Sequence, residues 1–119
     1  MTPGAQSPEE LETLFEDAFV MRDHEAVVEL FDDGAVMAVR DGDPPAAARG
    51  GEEIERLVAE LWGRGRVYLA DATRVLQARD TALVVAHRGI HVVRRGHDGA
   101  WRYVISLLAL DESNPKEDR

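Results

Sequence analysis

The sequence TALVVAHRGIHVVRR at residues 81–95 is the strongest indicator of the fold class of this chain. It is rich in apolar and β-branched residues, which favour a β-strand over a helix. Similar runs flank it, RVYLADATRVLQA at 66–78 and GAWRYVISLLALD at 99–111, with short turn sequences between them. Together they predict a three-stranded antiparallel meander. Fully extended, residues 81–95 would span about 50 Å, too long for a domain of this size, so we expect a sharp bend or bulge at Gly89.

The first half of the chain has helical periodicity instead. Ser7, Pro8 and Glu10 predict a helix start, with a serine cap, a first-turn proline and a capping box. A second, short helix is predicted after Asp23, and a third after residue 51 that ends at Gly63.

Between the second and third helices, AVMAVR at 35–40 predicts a short strand. DGDPPAAARGG at 41–51 predicts a loop, because its prolines and glycines oppose regular structure. The predicted order is therefore α-α-β-α-β-β-β. This is an α+β fold in which three helices pack on a strongly curved, mainly antiparallel sheet.

Length and composition limit the possibilities. With 119 residues we expect a single domain, its folded core at about 8–111 and a polar tail at 112–119. The absence of cysteine excludes disulfides, thiolate catalysis and thiolate zinc sites. The net charge of −9 argues against nucleic-acid binding. No apolar segment reaches membrane-spanning length and the N-terminus has no leader-like pattern, so we expect a cytoplasmic protein without membrane association.

Three segments resemble a known superfamily: LFDDGAVM at 30–37, RGGEEIERLVAELW at 49–62 and DGAWRYVI at 98–105. Over roughly residues 8–111 the chain is similar to nuclear-transport-factor-2-like proteins, which include SnoaL-like polyketide cyclases and ketosteroid isomerases. The resemblance implies a cone formed by a curved sheet around helices, open at one end. It also implies a second subunit on the convex face of the sheet.

Strand alternation divides residues 81–95 between two faces, and His87 and His91 fall on the same one. Arg88 and Arg94 fall on the other face, and arginines suit the wetter, outer side. We therefore expect both histidines inside the cone and His97 exposed in its turn. Four residues along a strand separate the two histidines by about 13 Å, too far to share a metal ion, so no metal site is predicted.

The candidate catalytic residues are His91 and His87, since an imidazole can move protons or stabilise an oxyanion near neutral pH. By resemblance, the ketosteroid isomerase tyrosine falls on Phe15, the base aspartate on Val39 and the oxyanion-binding aspartate on His91. All three differ here, so the resemblance does not extend to that activity. The candidate ligand-binding residues are Phe15, Phe19, Val39, Asp41, Trp62, Tyr68 and Tyr103. A purely structural packing role is the alternative for each of them.

Two functions remain open. One is a protein that binds a small hydrophobic molecule in a cone-shaped pocket. The other is a metal-free SnoaL-like acid–base enzyme, an isomerase, cyclase or hydratase acting on a polyketide-like or carbonyl compound. Both are expected to work without a cofactor. Both faces of the middle run are apolar at their centres, so we also predict a homodimer through the convex face, with contacts from residues 66–78, 81–95 and 100–110.

Overall fold

The computed structural model describes residues 4–40 and 46–109. They form three helices: α1 (Pro8–Met21), α2 (His24–Glu29) and α3 (Gly50–Gly63). They also form six strands: β1 (Phe31–Val39), β2 (Ala46–Arg49), β3 (Ala72–Ala78), β4 (Thr81–Ala86), β5 (Gly89–Arg95) and β6 (Trp101–Leu108). One sheet contains all six in the order β2-β1-β6-β5-β4-β3. Neighbouring strands are antiparallel except β1 and β6, which run parallel. The predicted α+β class is therefore confirmed.

The helices begin and pack as their sequences predict. The Ser7 hydroxyl accepts the backbone N–H of Glu10 at 3.0 Å and caps α1. The Glu10 carboxylate accepts the backbone N–H of Gln6 at 2.5 Å, so the return bond reaches the residue before the cap. α3 buries the apolar residues that its spacing places on one face, Ile54, Leu57, Val58 and Leu61. Of the helices in the described ranges, none is long and apolar enough to cross a membrane.

The run at 81–95 is not one bent strand. It forms β4 and β5, which pair in an antiparallel hairpin around a turn at His87 and Arg88. The chain thus reverses direction just before Gly89, where only a bend or bulge was expected. The alternation of side chains between the two faces does not continue through a tight turn. Residues of β5 therefore lie on the faces predicted from the sequence, whereas residues of β4 lie on the opposite faces. The inward-facing residues of β4 are Ala82, Val84 and Ala86.

Two further boundaries differ from the prediction. β2 lies inside the stretch 41–51 that was predicted as a loop, because it pairs with Val36–Val39 of β1. Pairing with a neighbouring strand outweighs the weak β-propensity of its alanines. β3 begins only at Ala72, so residues 66–71 of the first run lie before the strand. The sheet therefore has six strands where the sequence predicted four.

Paired residues on neighbouring strands form rows across the sheet, and one row on each face shows how the two faces differ. The inner row is buried or half-buried and runs across β1, β6, β5, β4 and β3 through Met37, Ser106, His91, Val84 and Val75. The outer row lies on the opposite face, one residue along each strand, at Val36, Ile105, Val92, Leu83 and Leu76. Three of its members are exposed to solvent. The inner row contains polar residues, whereas the outer row is entirely apolar.

Candidate functional site

A carboxylate lies on the buried side of α1. The apolar stripe of this helix includes Leu11, Phe15 and Phe19, and Glu12 precedes Phe15 by three residues. Residues at that spacing share a helix face, so Glu12 points into the core with its stripe. It is only 2% exposed. A buried carboxyl group is costly unless it is hydrogen-bonded, so its partners define the site.

Two tyrosine hydroxyls donate to Glu12, one to each carboxyl oxygen. Tyr68, which lies between α3 and β3, donates to Oε1 at 2.5 Å. Tyr103 of β6 donates to Oε2. Both tyrosines are fully buried, and their rings pack against Phe15 with centroid distances of 4.7 and 5.3 Å. Phe15 therefore helps to fix both hydroxyls on the carboxyl group.

His91 extends this hydrogen-bonded chain onto the sheet. The register of β5 and β6 places it directly opposite Ser106, and its Nδ1 lies 2.9 Å from Ser106 Oγ. Its Nε2 lies 3.0 Å from Tyr68 Oη and 3.4 Å from Glu12 Oε2. Four hydrogen bonds thus join five buried side chains in one chain, which we call the buried polar network: Ser106, His91, Tyr68, Glu12 and Tyr103.

Burial shifts the titration of this network. Desolvation raises the pKa of Glu12, and the hydrogen bonds from Tyr103 and Tyr68 only partly oppose it. Desolvation lowers the pKa of His91 to about 3. Desolvation and the nearby Glu12 charge raise the pKa of both tyrosine hydroxyls. Near neutral pH, His91 is therefore neutral and both tyrosines keep their protons, whereas burial makes the Glu12 carboxyl group easier to protonate than an exposed one.

Most of the predicted ligand-binding residues lie together in this core. The buried ones are Phe15, Phe19, Val39, Trp62, Tyr68 and Tyr103. Edge-to-face ring contacts continue from Phe15 to Phe19 at 5.8 Å and from Phe19 to Trp62 at 5.6 Å. Asp41 lies outside the described residues. The core thus combines an aromatic wall with the polar network, and a binding role for these residues remains a prediction.

Of the three histidines between residues 87 and 97, two lie where the sequence predicted and one does not. His91 is 1% exposed and faces the core, whereas His97 is exposed in its turn. His87 is also exposed, and its backbone N–H donates to Asp71 Oδ1 at 3.1 Å. Its expected place beside His91 inside the cone is therefore wrong, because the chain turns at His87. Arg94 points away from the core and pairs with Asp32.

Sequence reasoning missed Glu12, although a signal was present. A charged residue three positions before Phe15 and seven before Phe19 interrupts an otherwise apolar helix stripe. Ser106 is similarly a polar residue within the otherwise apolar run VISLL at 104–108. Alternation within one strand does not predict the register between strands, which places Ser106 opposite His91.

A surface cleft of 880 Å³ lies apart from the network, between α1, α2, the start of β1 and the turn before β6. Its lining combines apolar side chains such as Leu14 and Trp101 with several carboxylates, and none of the five network residues contributes to it. Within 4–40 and 46–109, no three His, Cys, Asp or Glu side chains are grouped so that they could hold a metal ion.

Comparison with known proteins finds relatives by structure. No protein-family model matches the chain. No curated protein matches it either. Among solved structures, an NTF2-like protein with a cystatin-like fold from Novosphingobium aromaticivorans has a TM-score of 0.65 and 26% identity, covering 88% of this chain and 80% of its own.

Two more distant structures have the same fold. A candidate calcium/calmodulin-dependent protein kinase type II association domain from Thiobacillus denitrificans has a TM-score of 0.73 at 16% identity, covering 93% of this chain and 100% of its own. A ketosteroid isomerase-like protein from Erwinia carotovora atroseptica has a TM-score of 0.69 at 18% identity, covering 86% and 92%. The chain therefore has the cone fold of the nuclear-transport-factor-2-like superfamily, which confirms the resemblance seen in the sequence.

Proposed function

We propose that this protein binds a small, largely apolar molecule inside the cone and that the buried polar network holds an oxygen of that molecule. One observation carries the proposal: five polar side chains form a continuous chain within an apolar core. Replacing buried charged groups by apolar residues of similar shape is often neutral or stabilising, so stability alone does not account for this network. Apolar walls with a few convergent polar groups are typical of small-molecule sites.

A matched pair of ligands tests this proposal. 2-Acetylnaphthalene and 2-ethylnaphthalene have the same apolar body, but only the first has an oxygen. We expect the ketone to bind about tenfold more tightly, which corresponds to about one added hydrogen bond. Calorimetric titration across a range of pH gives both affinities.

NMR locates the bound ketone. Methyl signals of Val39 and ring signals of Phe15 should move on titration, whereas methyl signals of Leu83 and Ile105 in the outer row serve as the matched control. Equal affinity for the two ligands, or shifts confined to the outer row, would contradict the proposal.

A second candidate is the metal-free acid–base enzyme, and one observation favours it. The Glu12 carboxyl group, whose pKa burial raises, lies 3.4 Å from the neutral imidazole of His91. A carboxyl group held in apolar surroundings beside hydrogen-bond donors can exchange a proton with a substrate carbon next to a carbonyl. Such proton transfer is the first step that isomerases and cyclases of carbonyl compounds share.

Deuterium exchange tests the enzyme candidate directly. The methyl protons of 2-acetylnaphthalene in D₂O should exchange faster with the protein present, as seen by proton NMR. Glu12→Gln and His91→Ala should each slow that exchange by about 100-fold or more, and His97→Ala, in an exposed turn, should leave it unchanged. Exchange no faster than in buffer would leave only the binding function.

We also propose that two copies pair through the outer face of the sheet. The outer row and the neighbouring Ile90 and Leu107 form a continuous apolar surface over β6, β5 and β4. Apolar patches of this kind mark association sites in proteins. The contact would use strand residues from 66–78, 81–95 and 100–110, as the sequence predicts. Light scattering should show a species of about twice the 13.2 kDa chain mass, and a stable monomer at micromolar concentration would contradict pairing.

Two broader expectations stand as proposals beside these. We propose that residues from about 8 to 111 form a single domain, which limited proteolysis tests through one protected fragment. A cytoplasmic location is also proposed, and cell fractionation tests it.

A further inference from the structure

The direction of each hydrogen bond in the buried polar network follows from the protons available. Tyr68 has one hydroxyl proton and donates it to Glu12, so its oxygen accepts from His91 Nε2. A neutral imidazole with its proton on Nε2 has an accepting Nδ1, so the Ser106 hydroxyl donates there. Tyr103 donates to the other Glu12 oxygen. Every proton of the network is thereby assigned to one bond.

The number of hydrogen-bonding protons in the network depends on whether Glu12 is ionised or protonated. With Glu12 ionised, four protons occupy the four hydrogen bonds, and no donor is left for another oxygen. The carboxylate retains unused lone pairs, so this state can accept a hydroxyl from a ligand but has nothing to give to a carbonyl. With Glu12 protonated, five protons serve the same four bonds, and one becomes available to a ligand oxygen.

We propose that the network distinguishes ligand oxygens by this proton count: a carbonyl ligand binds together with one proton taken up from solvent, whereas a hydroxyl ligand binds without one. This inference rests on the proposed function and adds to it the class of ligand and the condition under which it binds. The step forms no covalent bond and needs no partner other than a solvent proton.

The surroundings of Glu12 indicate where the added proton resides. The groups that face it are Tyr68 before β3, His91 on β5, Tyr103 on β6 and, at longer range, the charge of Asp71. Burial lowers the pKa of His91 to about 3, so the imidazole does not take the proton near neutral pH. Burial and the negative charge of Asp71 both raise the pKa of Glu12. The carboxyl group is therefore the proton acceptor.

Calorimetry in buffers of different ionisation enthalpy measures the proton uptake. We compare 2-acetylnaphthalene with 2-naphthol, which presents a hydroxyl on the same apolar body. Where Glu12 is ionised in the free protein, the ketone should take up about one proton on binding and the naphthol close to none. In a pH series, the Kd of the ketone should rise by up to about tenfold per pH unit wherever Glu12 is ionised, and that of the naphthol should not.

Two variants show whether Glu12 is responsible. Glu12→Gln cannot ionise, so ketone binding should lose both its proton uptake and its pH dependence. His97→Ala, in an exposed turn outside the network, is the control and should retain the proton uptake. If Glu12→Gln does not fold, the difference in proton uptake between the ketone and the naphthol in the unaltered protein decides the matter.

Ketone binding without proton uptake at any pH, or equal uptake for both ligands throughout the pH series, would overturn this inference and leave the proposed function intact. Failure of both ligands to bind at any pH would overturn the proposed function, and this inference with it.

Discussion

The inner and outer rows of the sheet cross the same five strands one residue apart, yet the buried row contains two polar residues and the partly exposed row contains none. The inner row is shielded from water and includes His91, which is 1% exposed, and Ser106. The outer row consists only of apolar residues, and Ile105 within it is 50% exposed. Buried polar groups need partners, and exposed apolar surface of this extent marks contact sites. Each face therefore points to a different task, ligand recognition inside and association outside.

The largest expected effect comes from placing a carboxylate on each face of β4. Val84→Asp puts an unpaired charge in the inner row, where Val84 is fully buried, and should destabilise the protein by more than about 4 kcal/mol. Leu83→Asp makes the same chemical change one residue away, in the outer row. It should leave the monomer folded and weaken self-association. Urea unfolding and light scattering measure the two effects, and similar losses of stability would mean that the two faces do not differ.

A smaller effect is expected when the aromatic wall is truncated. Phe15 is fully buried and contacts four aromatic rings, so Phe15→Ala should cost about 3–5 kcal/mol. Leu76→Ala in the outer row is the control at concentrations too low for self-association, where Leu76 is largely exposed; its cost should stay within about 0.5 kcal/mol. Denaturant midpoints at equal m-values provide the comparison. A mild Phe15→Ala variant would show that the inner face tolerates a cavity.

The third expected effect depends on pH and belongs to the inner row alone. The pKa of His91 falls from 6.5 to about 3 on folding, so the unfolded chain binds a proton that the folded chain does not. The stability linked to this group is complete above pH 6.5 and is lost as the pH falls toward about 3, by up to about 1.4 kcal/mol per pH unit. His91→Gln should remove this loss, as seen in urea unfolding at a series of pH values.

The stability linked to Glu12 has the opposite dependence on pH, and a Glu12 variant separates it from the stability linked to His91. Its pKa is raised on folding, so the stability linked to it is present below its unfolded value of 4.5 and is lost as the pH rises through the folded value. The His91 comparison is therefore best made in a Glu12→Gln background. A variant of exposed His97 is the control. If His91→Gln and the parent lose stability equally on acidification, the burial argument fails.

The smallest expected effect concerns Ser106. Ser106→Ala removes the donor to His91 Nδ1 and leaves a buried acceptor unpaired, which should cost about 1–3 kcal/mol. Thr81→Ala, at an exposed position of β4, should change stability by less than about 0.5 kcal/mol. The imidazole ¹⁵N signals of His91 should also shift in Ser106→Ala. Unchanged signals would indicate that Ser106 does not bind the ring.

Much of the architecture could be predicted because it depends on local chemistry. The cap at Ser7 and the apolar spacing of α3 depend on neighbouring residues, and both were found as expected. The turn at His87 could not be read in the same way, because neither residue of that turn is a glycine, proline or asparagine. β2 was missed because its pairing with β1, rather than its alanines, makes it a strand.

The candidate site was harder to predict than the fold. Alternation in β5 correctly indicated that His91 faces the core, although it placed His87 there as well. The network around His91 combines residues from α1, the segment before β3, β5 and β6. Its geometry arises from tertiary packing between distant parts of the sequence, which periodicity within one segment does not encode. Glu12 was accessible only as an exception to a helix pattern.

Because β6 lies between β1 and β5, the six-stranded sheet cannot be completed until β6 has been synthesised. This strand joins a β1–β2 pair made early to a β3–β4–β5 meander made later. Its pairing with β1 links residues far apart in the sequence, such as Phe31 and Tyr103, and contacts of this range form slowly. A nascent chain still lacking β6 would hold two partial sheets with open edges. Tyr103 and Ser106 are delivered by that same strand, so a chain cannot acquire the complete network before its sheet is closed.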